Sequence, residues 1–225
     1  MPRIVQHLRL GRTDYREALS LQRALHVKRC AGEIGDLLLS VEHNPVFTIG
    51  RTGSRENLLV DEAMRIDAGI DLVDIERGGD ITYHGPGQLV LYPILDLRSW
   101  GKDIHTYICN LEEVMIRTLA GWGIEAGRKL QAPGAWVGER KIGSIGVHVK
   151  RWVSLHGLAL NVDIDPAHVA MIRPCGLSEK LVSITDLRNG SACVSDVLDT
   201  MLPVVEDVLA CTLVESSAEE LMERV

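Results

Sequence analysis

Arg77-Gly78-Gly79-Asp80-Ile81-Thr82-Tyr83-His84-Gly85-Pro86-Gly87-Gln88 is the stretch whose reading decides the fold. Leu72 to Glu76, just before it, reads as a strand. Arg77-Gly78-Gly79-Asp80 is a turn, Ile81 to His84 a short strand, Gly85-Pro86-Gly87 a second turn, and Gln88 to Leu95 a long strand. Turns this short join antiparallel neighbours, whereas a parallel pair needs a crossover of a dozen residues or more. A period of two puts Thr82 and His84 on one face and Ile81 and Tyr83 on the other.

Upstream, Tyr15, Ala18, Leu19, Gln22 and Leu25 recur at helical spacing, which predicts a helix from Thr13 to Cys30 with Asp14 and Glu17 as a capping box. Asp36 to Glu42 predicts a strand buried on both faces across its leucine run. His43-Asn44-Pro45 turns the chain into a second strand, Val46 to Arg51, and Thr52 to Asn57 reads as a mobile loop. Downstream, Asp103 caps a helix that ends near Gly121. Its apolar stripe includes Ile104, Tyr107, Ile108, Leu111, Val114, Met115 and Leu119, with Cys109 in the core. Three strands follow: Gly134 to Val137, Lys141 to Val149 and Val153 to Val162. Asp165 starts a short helix, and Ser183 to Leu187 is helical. Ser195 caps a last helix from Asp196 to about Leu213, which Pro203 should kink or split and which carries Cys211. The final dozen charged residues predict a loosely held helix.

These elements predict an α/β protein of the α+β type. Its largely antiparallel or mixed sheet is flanked by helices in one domain over residues 1–225, with the region after about residue 178 packed on it. A chain of 225 residues can bury enough surface to fold without disulfides or metal. The net charge of −7 argues against broad nucleic-acid binding. No apolar run reaches the ~18 residues of a membrane span. Met1-Pro2-Arg3-Ile4 opens no apolar leader, and the five cysteines are odd in number without a CxxC pair. A reducing cytoplasm is therefore expected.

Cys175 stands apart from the other cysteines. In Ile172-Arg173-Pro174-Cys175-Gly176-Leu177, proline fixes its own φ and glycine frees the next residue. Such a bend holds a thiol out of regular hydrogen bonding. Two further segments share this glycine density: Arg140-Lys141-Ile142-Gly143-Ser144-Ile145-Gly146 and His156-Gly157-Leu158-Ala159-Leu160-Asn161. Glycine inside a strand marks a bulge or a close approach.

Together and in this order, these four segments closely resemble the lipoyl(octanoyl) transferases of the biotin/lipoate protein ligase fold family. Glu42-His43-Asn44-Pro45-Val46-Phe47-Thr48-Ile49-Gly50-Arg51 and Ala132-Pro133-Gly134-Ala135-Trp136 add to the likeness, which runs from about Arg9 to Leu177. Ala135 stands where a larger apolar residue is expected, and His148 where a basic one is.

The resemblance implies an octanoyl donor carried as the phosphopantetheine thioester of acyl carrier protein. It implies lysine acceptors on the lipoyl domains of 2-oxoacid dehydrogenase complexes and on the glycine-cleavage H protein. Cys175 would carry the acyl group as a thioester, and Lys141 would be its partner. Arg77, Gly78, Gly79, Asp80, Ile81, Thr82, Tyr83 and His84 would contact substrate, together with Ser144, Ile145, Gly146, Gly157, Leu158 and Ala159. His84 would also orient the Cys–Lys pair, while His156 reads as structural. Arg140, Lys150 and Arg151 are nominated as a basic patch for acidic partners.

The chemistry is consistent with those residues. A thioester is already activated, so no ATP, metal or other cofactor is called for. Ionising an ordinary thiol costs about 2 kcal/mol at neutral pH, which a neighbouring ammonium offsets. Neutralising the acceptor lysine costs roughly 4–5 kcal/mol. Once the thiolate is acylated, Lys141 loses its counter-ion and can take that proton. Three alternatives stand beside this reading. One is an ATP-dependent lipoate or biotin ligase, one an amidotransferase working between lipoyl domains. The third is a non-catalytic protein that binds lipid, or a metal through His84, His156 and Cys175.

Overall fold

The structure, a computed structural model, describes residues 3–130, 132–173, 180–188 and 190–223. Ten strands and seven α-helices follow in chain order: β1 (Arg3–Thr13), α1 (Tyr15–Ala31), β2 (Asp36–His43), β3 (Val46–Ile49), α2 (Glu62–Asp67), β4 (Asp71–Asp74), β5 (Ile81–His84), β6 (Gln88–Ile94), α3 (Ile104–Gly121), β7 (Gly134–Val137), β8 (Arg140–Lys150), β9 (Val153–Asn161), α4 (Pro166–Val169), α5 (Ile184–Arg188), α6 (Val194–Leu209), β10 (Cys211–Glu215) and α7 (Ala218–Glu223). They form two sheets. The larger has seven strands in the order β10-β1-β2-β6-β9-β8-β7, and the smaller has three in the order β4-β3-β5. Both are mixed: β1 runs parallel to β2 and β10, and β3 parallel to β4, while the remaining pairs are antiparallel.

The large sheet is covered on both faces, and the pleat sorts its side chains between them. Leu38, Leu89 and Leu91 join α3 and α6 in one core, whereas Leu37, Leu39, Val41, Val90 and Tyr92 pack with Leu25 of α1 in the other. That double cover is why Asp36 to Glu42 reads as an almost unbroken apolar run. Helix α1 starts where Asp14 accepts the main-chain N–H groups of Arg16 and Glu17 at 2.8 and 3.3 Å. It stops at Gly32, whose φ of 79° is the left-handed cap.

Several expectations need correction. Residues 3–13 form a strand that the periodicity did not announce, and Cys211–Glu215 is a strand rather than the end of a helix. Ala210, at φ 47°, breaks α6, and the chain then pairs in parallel with β1. Cys193, not Ser195, occupies the N-cap, and it makes no side-chain cap bond. Pro203 does not split α6. Its missing hydrogen bond costs about 3 kcal/mol. Burial of Val197, Leu198, Met201, Val205 and Leu209 outweighs that at roughly 1.5–3 kcal/mol each. Ile104 is exposed at the first residue of α3, and Cys109 is half-buried because it lies off the face that Tyr107 and Leu111 turn to the core. Thr52 to Asn57 is less loop-like than expected. It includes a 3-10 turn at Arg55–Asn57, with Ser54 N–H donating to Asp80 Oδ1 at 3.0 Å.

Two strand glycines are explained by crowding. A Cβ on Gly157 would lie 2.1 Å from the main-chain oxygen of Leu91, and one on Gly146 would lie 2.8 Å from Cδ of Arg77. The first contact is with rigid backbone of β6, so β9 must carry glycine there to pair at its observed spacing. Gly157→Ala is expected to destabilise the protein by about 1–3 kcal/mol in urea unfolding. Gly35→Ala, where the nearest atom is 4.0 Å away, should stay within about 0.5 kcal/mol. Equal stability of the two variants would contradict this packing.

Candidate active site

The small sheet and the α1 face of the large sheet enclose a cavity of about 690 Å³, open mouth included. Its wall is built from the turn Arg77–Asp80, from Ile81, Thr82 and His84 of β5, and from Lys141 and Ser144–Gly146 of β8. His156–Ala159 of β9 complete it with Tyr15, Val90, Tyr92 and Leu181. Residues chosen from three separate glycine-rich segments thus meet around one space. Tyr83 does not join them. Its ring packs with Phe47 in the core of the small sheet, and its hydroxyl lies 3.0 Å from Nδ1 of His168. Alternation does not separate them, since Ile81 on the same face of β5 lines the wall; the contacts with Phe47 and His168 hold Tyr83 elsewhere.

Arg77 is buried and its guanidinium is held by Thr48, through the main-chain oxygen at 2.7 Å and Oγ1 at 2.9 Å, and by Gly78 O at 3.0 Å. Gly78 N–H donates to Val147 O at 3.1 Å and so docks the turn on β8. Asp80 accepts from Ser54 N–H and Asn57 Nδ2, tying residues 54–57 to the same turn.

Lys141 lies in β8, 7% exposed, with Nζ 5.0 Å from the ring centroid of Trp136. Its N–H donates to Lys180 O at 3.0 Å, and its carbonyl accepts from Val182 N–H at 3.0 Å. Cys175 itself lies outside the described residues, as do Pro174 and Gly176. Both flanks are described. Before the gap, Arg173 N–H donates to Asn57 O at 2.8 Å and Leu59 N–H to Met171 O at 2.8 Å. After the gap, Lys180 to Val182 pair with Lys141. The chain therefore leaves from residues tied to the cavity turn and returns beside the lysine.

Three imidazoles stand in or beside the wall. His43 lies between Thr13 O at 3.1 Å from Nδ1 and the Tyr92 hydroxyl at 2.7 Å from Nε2. A carbonyl can only accept, so Nδ1 carries the proton and Nε2 accepts from Tyr92. Burial pushes this imidazole down to about 4. His84 stacks on Tyr15 and meets the edge of His43, and burial, reinforced by His43, pushes it down to about 3. His156 has a φ of 59°, and neither ring nitrogen has a hydrogen-bond partner. Burial pushes it down too, against the pull of Glu76. Glu76 is 4.0 Å from its Nε2, too long for a hydrogen bond, and a neutral ring makes no ion pair. Glu76 is instead held by Arg23 at 2.7 and 3.0 Å, which lowers its carboxyl.

Sequence reasoning missed Tyr15, Tyr92, Val90 and Leu181, and it left His156 outside the site. Tyr15 and Tyr92 sit in stretches that read as plain helix stripe and buried strand. The one available signal was a phenol among aliphatics, which needs a polar neighbour when buried. Lys150 and Arg151 lie at the β8–β9 turn, nine or more residues from Lys141 along an extended strand, about 30 Å away. They do not flank the cavity, whereas Arg140 adjoins Lys141. Among the described residues there is no group of three His, Cys, Asp or Glu side chains placed to hold a metal ion. No helix among them is long and apolar enough to cross a membrane.

Residues 14–206 match the family described as the lipoyl protein ligase A/B catalytic domain. An octanoyltransferase of Solibacter usitatus is 51% identical over 178 residues, covering 79% of this chain and 81% of that one. An octanoyltransferase of Caldicellulosiruptor saccharolyticus is 47% identical over 176 residues, 77% of this chain and 75% of the relative. Among solved structures, a lipoate-protein ligase A bound with ATP superposes with a TM-score of 0.79 at 20% identity, covering 99% of this chain and 93% of the other. The biotin protein ligase of Aquifex aeolicus with biotin and ATP gives 0.53 at 10%, covering 93% and 71%. At those identities the two structures bear on the fold alone. The mixed sheet flanked by helices is theirs.

The buried neutral imidazoles make stability depend on pH. For His43 and His84 the folded values, about 4 and about 3, lie below the unfolded value of about 6.5. Between these limits the unfolded chain binds more protons, so stability is full above about pH 6.5 and declines as pH falls. Urea unfolding should show a loss of stability from about pH 7 to about pH 5, above the carboxylate range, with uptake of at least about two protons on unfolding. A flat profile there would contradict neutral burial of these rings.

Proposed function

The chain belongs to the lipoyl protein ligase A/B catalytic-domain family, among its octanoyltransferases, and from that premise we propose how its residues move the acyl group. The reaction class is acyl transfer in lipoate synthesis. The donor is the octanoyl thioester of acyl carrier protein, and the acceptor is a lysine of a lipoyl domain in 2-oxoacid dehydrogenase complexes or of the glycine-cleavage H protein.

In the first half-reaction the Cys175 thiolate attacks the thioester carbonyl. The bond to the pantetheine sulfur breaks, and the leaving thiolate takes a proton from the Lys141 ammonium. In the second, the acceptor amine attacks the Cys175 thioester, Lys141 takes the proton the amine must lose, and Cys175 leaves as thiolate. Atoms and charge balance over the two steps, and because the donor is already activated neither ATP nor a metal enters. Main-chain N–H groups near Cys175 would hold the oxyanion.

The observation that carries this reading is the return of the chain beside Lys141, five residues after Cys175, in the wall of a cavity that gathers three of the glycine-rich segments. The cavity suits the cargo. Ile81, Ile145, Val90 and Leu158 offer an apolar lining to an alkyl chain. His43 and His84 stay neutral near pH 7, so neither competes with Lys141 for the proton. We propose further that residues 1–225 work as one catalytic unit and that the protein acts in the cytoplasm.

Intact mass after mixing with octanoyl-acyl carrier protein tests the reading. One octanoyl adduct is expected, absent in Cys175→Ser and Cys175→Ala. Lys141→Ala should load about tenfold or more slowly near pH 7, with the deficit shrinking near pH 9. An unchanged adduct without Cys175 would overturn the relay. Acceptor modification from free octanoate and ATP alone would point to a ligase.

A further inference from the structure

We propose that Gln88 and Asn161 are positioning residues: their amides fix which nitrogen of His84 carries its proton, and they tie that ring to the segment clamped on Lys141. The argument needs only the donor and acceptor capacities of the groups in line. Gln88 Nε2 lies 3.2 Å from the main-chain oxygen of Tyr83 and 2.9 Å from Oδ1 of Asn161. Asn161 Nδ2 lies 3.1 Å from the main-chain oxygen of Val182. A main-chain carbonyl only accepts, so each amide must present its NH₂ there. Turning either one over would set oxygen against oxygen in a buried place, where His84, Gln88 and Asn161 are all less than a tenth exposed.

With both amides fixed, Gln88 Oε1 is the atom that faces His84 Nδ1, at 2.7 Å. Nδ1 must donate, and a neutral His84 then has its lone pair on Nε2, in the cavity wall. Neutrality follows from the surroundings. Burial is the main cause: Tyr15 of α1 stacks on the ring and His43 of β2 meets its edge, which together outweigh the Nδ1–H···Oε1 bond to Gln88 of β6, a contact that by itself favours the charged ring. Arg77 of the turn and His156 of β9 both oppose a positive charge. His84 is thus a fixed hydrogen-bond acceptor for an N–H donor in the cavity, not a proton carrier.

The same chain reaches the catalytic lysine by another route. Val182 accepts from Asn161 through its oxygen and donates to Lys141 O through its N–H. The line His84–Gln88–Asn161–Val182–Lys141 therefore sets the cavity imidazole and the register of residues 180–182 together. Its relevance to acyl transfer rests on the function proposed above, but the tautomer does not.

Long-range ¹H–¹⁵N correlation NMR of the full-length ¹⁵N-labelled protein reads the tautomer directly, with His84 assigned by its loss in His84→Asn. The expected result is a neutral ring protonated on Nδ1 throughout about pH 5 to about pH 8. A proton on Nε2, or uptake of a second proton in that range, would overturn the proposal whether or not the protein transfers octanoyl. Asn161→Asp keeps the shape and removes the donor to Val182. It should disturb the His84 signals and lower the rate of acyl loading about tenfold, more through kcat than through KM. Unchanged His84 signals and an unchanged rate would show that the amides only fill space.

Discussion

Two main-chain hydrogen bonds, Lys141 N–H to Lys180 O and Val182 N–H to Lys141 O, hold the segment that follows the proposed nucleophile against the strand that carries the lysine. Everything proposed for the site depends on them. β8 is otherwise paired to β7 on one side and to β9 on the other, and the short return segment aligns with it at the one residue whose charge matters. Arg173 N–H to Asn57 O does the equivalent work on the other flank. The described residues on either side of positions 174–179 are thus both tied to walls of the same cavity.

The walls themselves follow from how two sheets of unequal size meet. The seven-stranded sheet is clamped between α1 on one face and α3 with α6 on the other, so its strands are rigid and mostly apolar. The three-stranded sheet supplies the polar turn Arg77–Asp80, which is docked on β8 by Gly78 and held inside by Thr48. Close approach of Arg77 and Gly78 to Gly146 is part of that docking, whereas Gly157 lets β9 lie against β6. The glycines therefore act first on the packing of the walls, and through it on the shape of the space. Alongside the charged groups of Arg77, Asp80 and Lys141, the cavity has the aliphatic sides and neutral imidazoles that suit the acyl chain proposed for it.

Much of this was legible in the sequence, and the failures have physical causes. α1 with its Asp14 cap, β5 and β6 as strands, and the strands around Lys141 all announced themselves through period and turn residues, but the expected meander of antiparallel neighbours was wrong: β3 lies between β4 and β5, and β6 belongs to the other sheet. β1 did not, because its alternation is broken at a bulge between Arg9 and Gly11. β10 was hidden because Thr212-Leu213-Val214 continues the apolar pattern of α6, and only Ala210 in the left-handed region divides them. At the site, spacing named the glycine segments but could not say that Tyr83 turns away, because its partners Phe47 and His168 come from distant parts of the chain. Lys150 and Arg151 looked near Lys141 because basic residues cluster along the chain there. An extended strand carries them to its opposite end. Tyr15 and Tyr92 gave only the weak signal of a phenol among aliphatics, and the amides of Gln88 and Asn161 gave none that pointed to their partners, since these roles exist only where distant segments meet.

The central claim is that one thiol and one amine, thirty-four residues apart in sequence, face each other. o-Phthalaldehyde, which condenses a thiol and a primary amine lying side by side into one fluorescent isoindole, measures this without any substrate. The account predicts a single isoindole bridging Cys175 and Lys141, located by peptide mass analysis and absent in Cys175→Ser and in Lys141→Arg. No bridge in the folded protein, or a bridge that forms equally well in both variants, would contradict it.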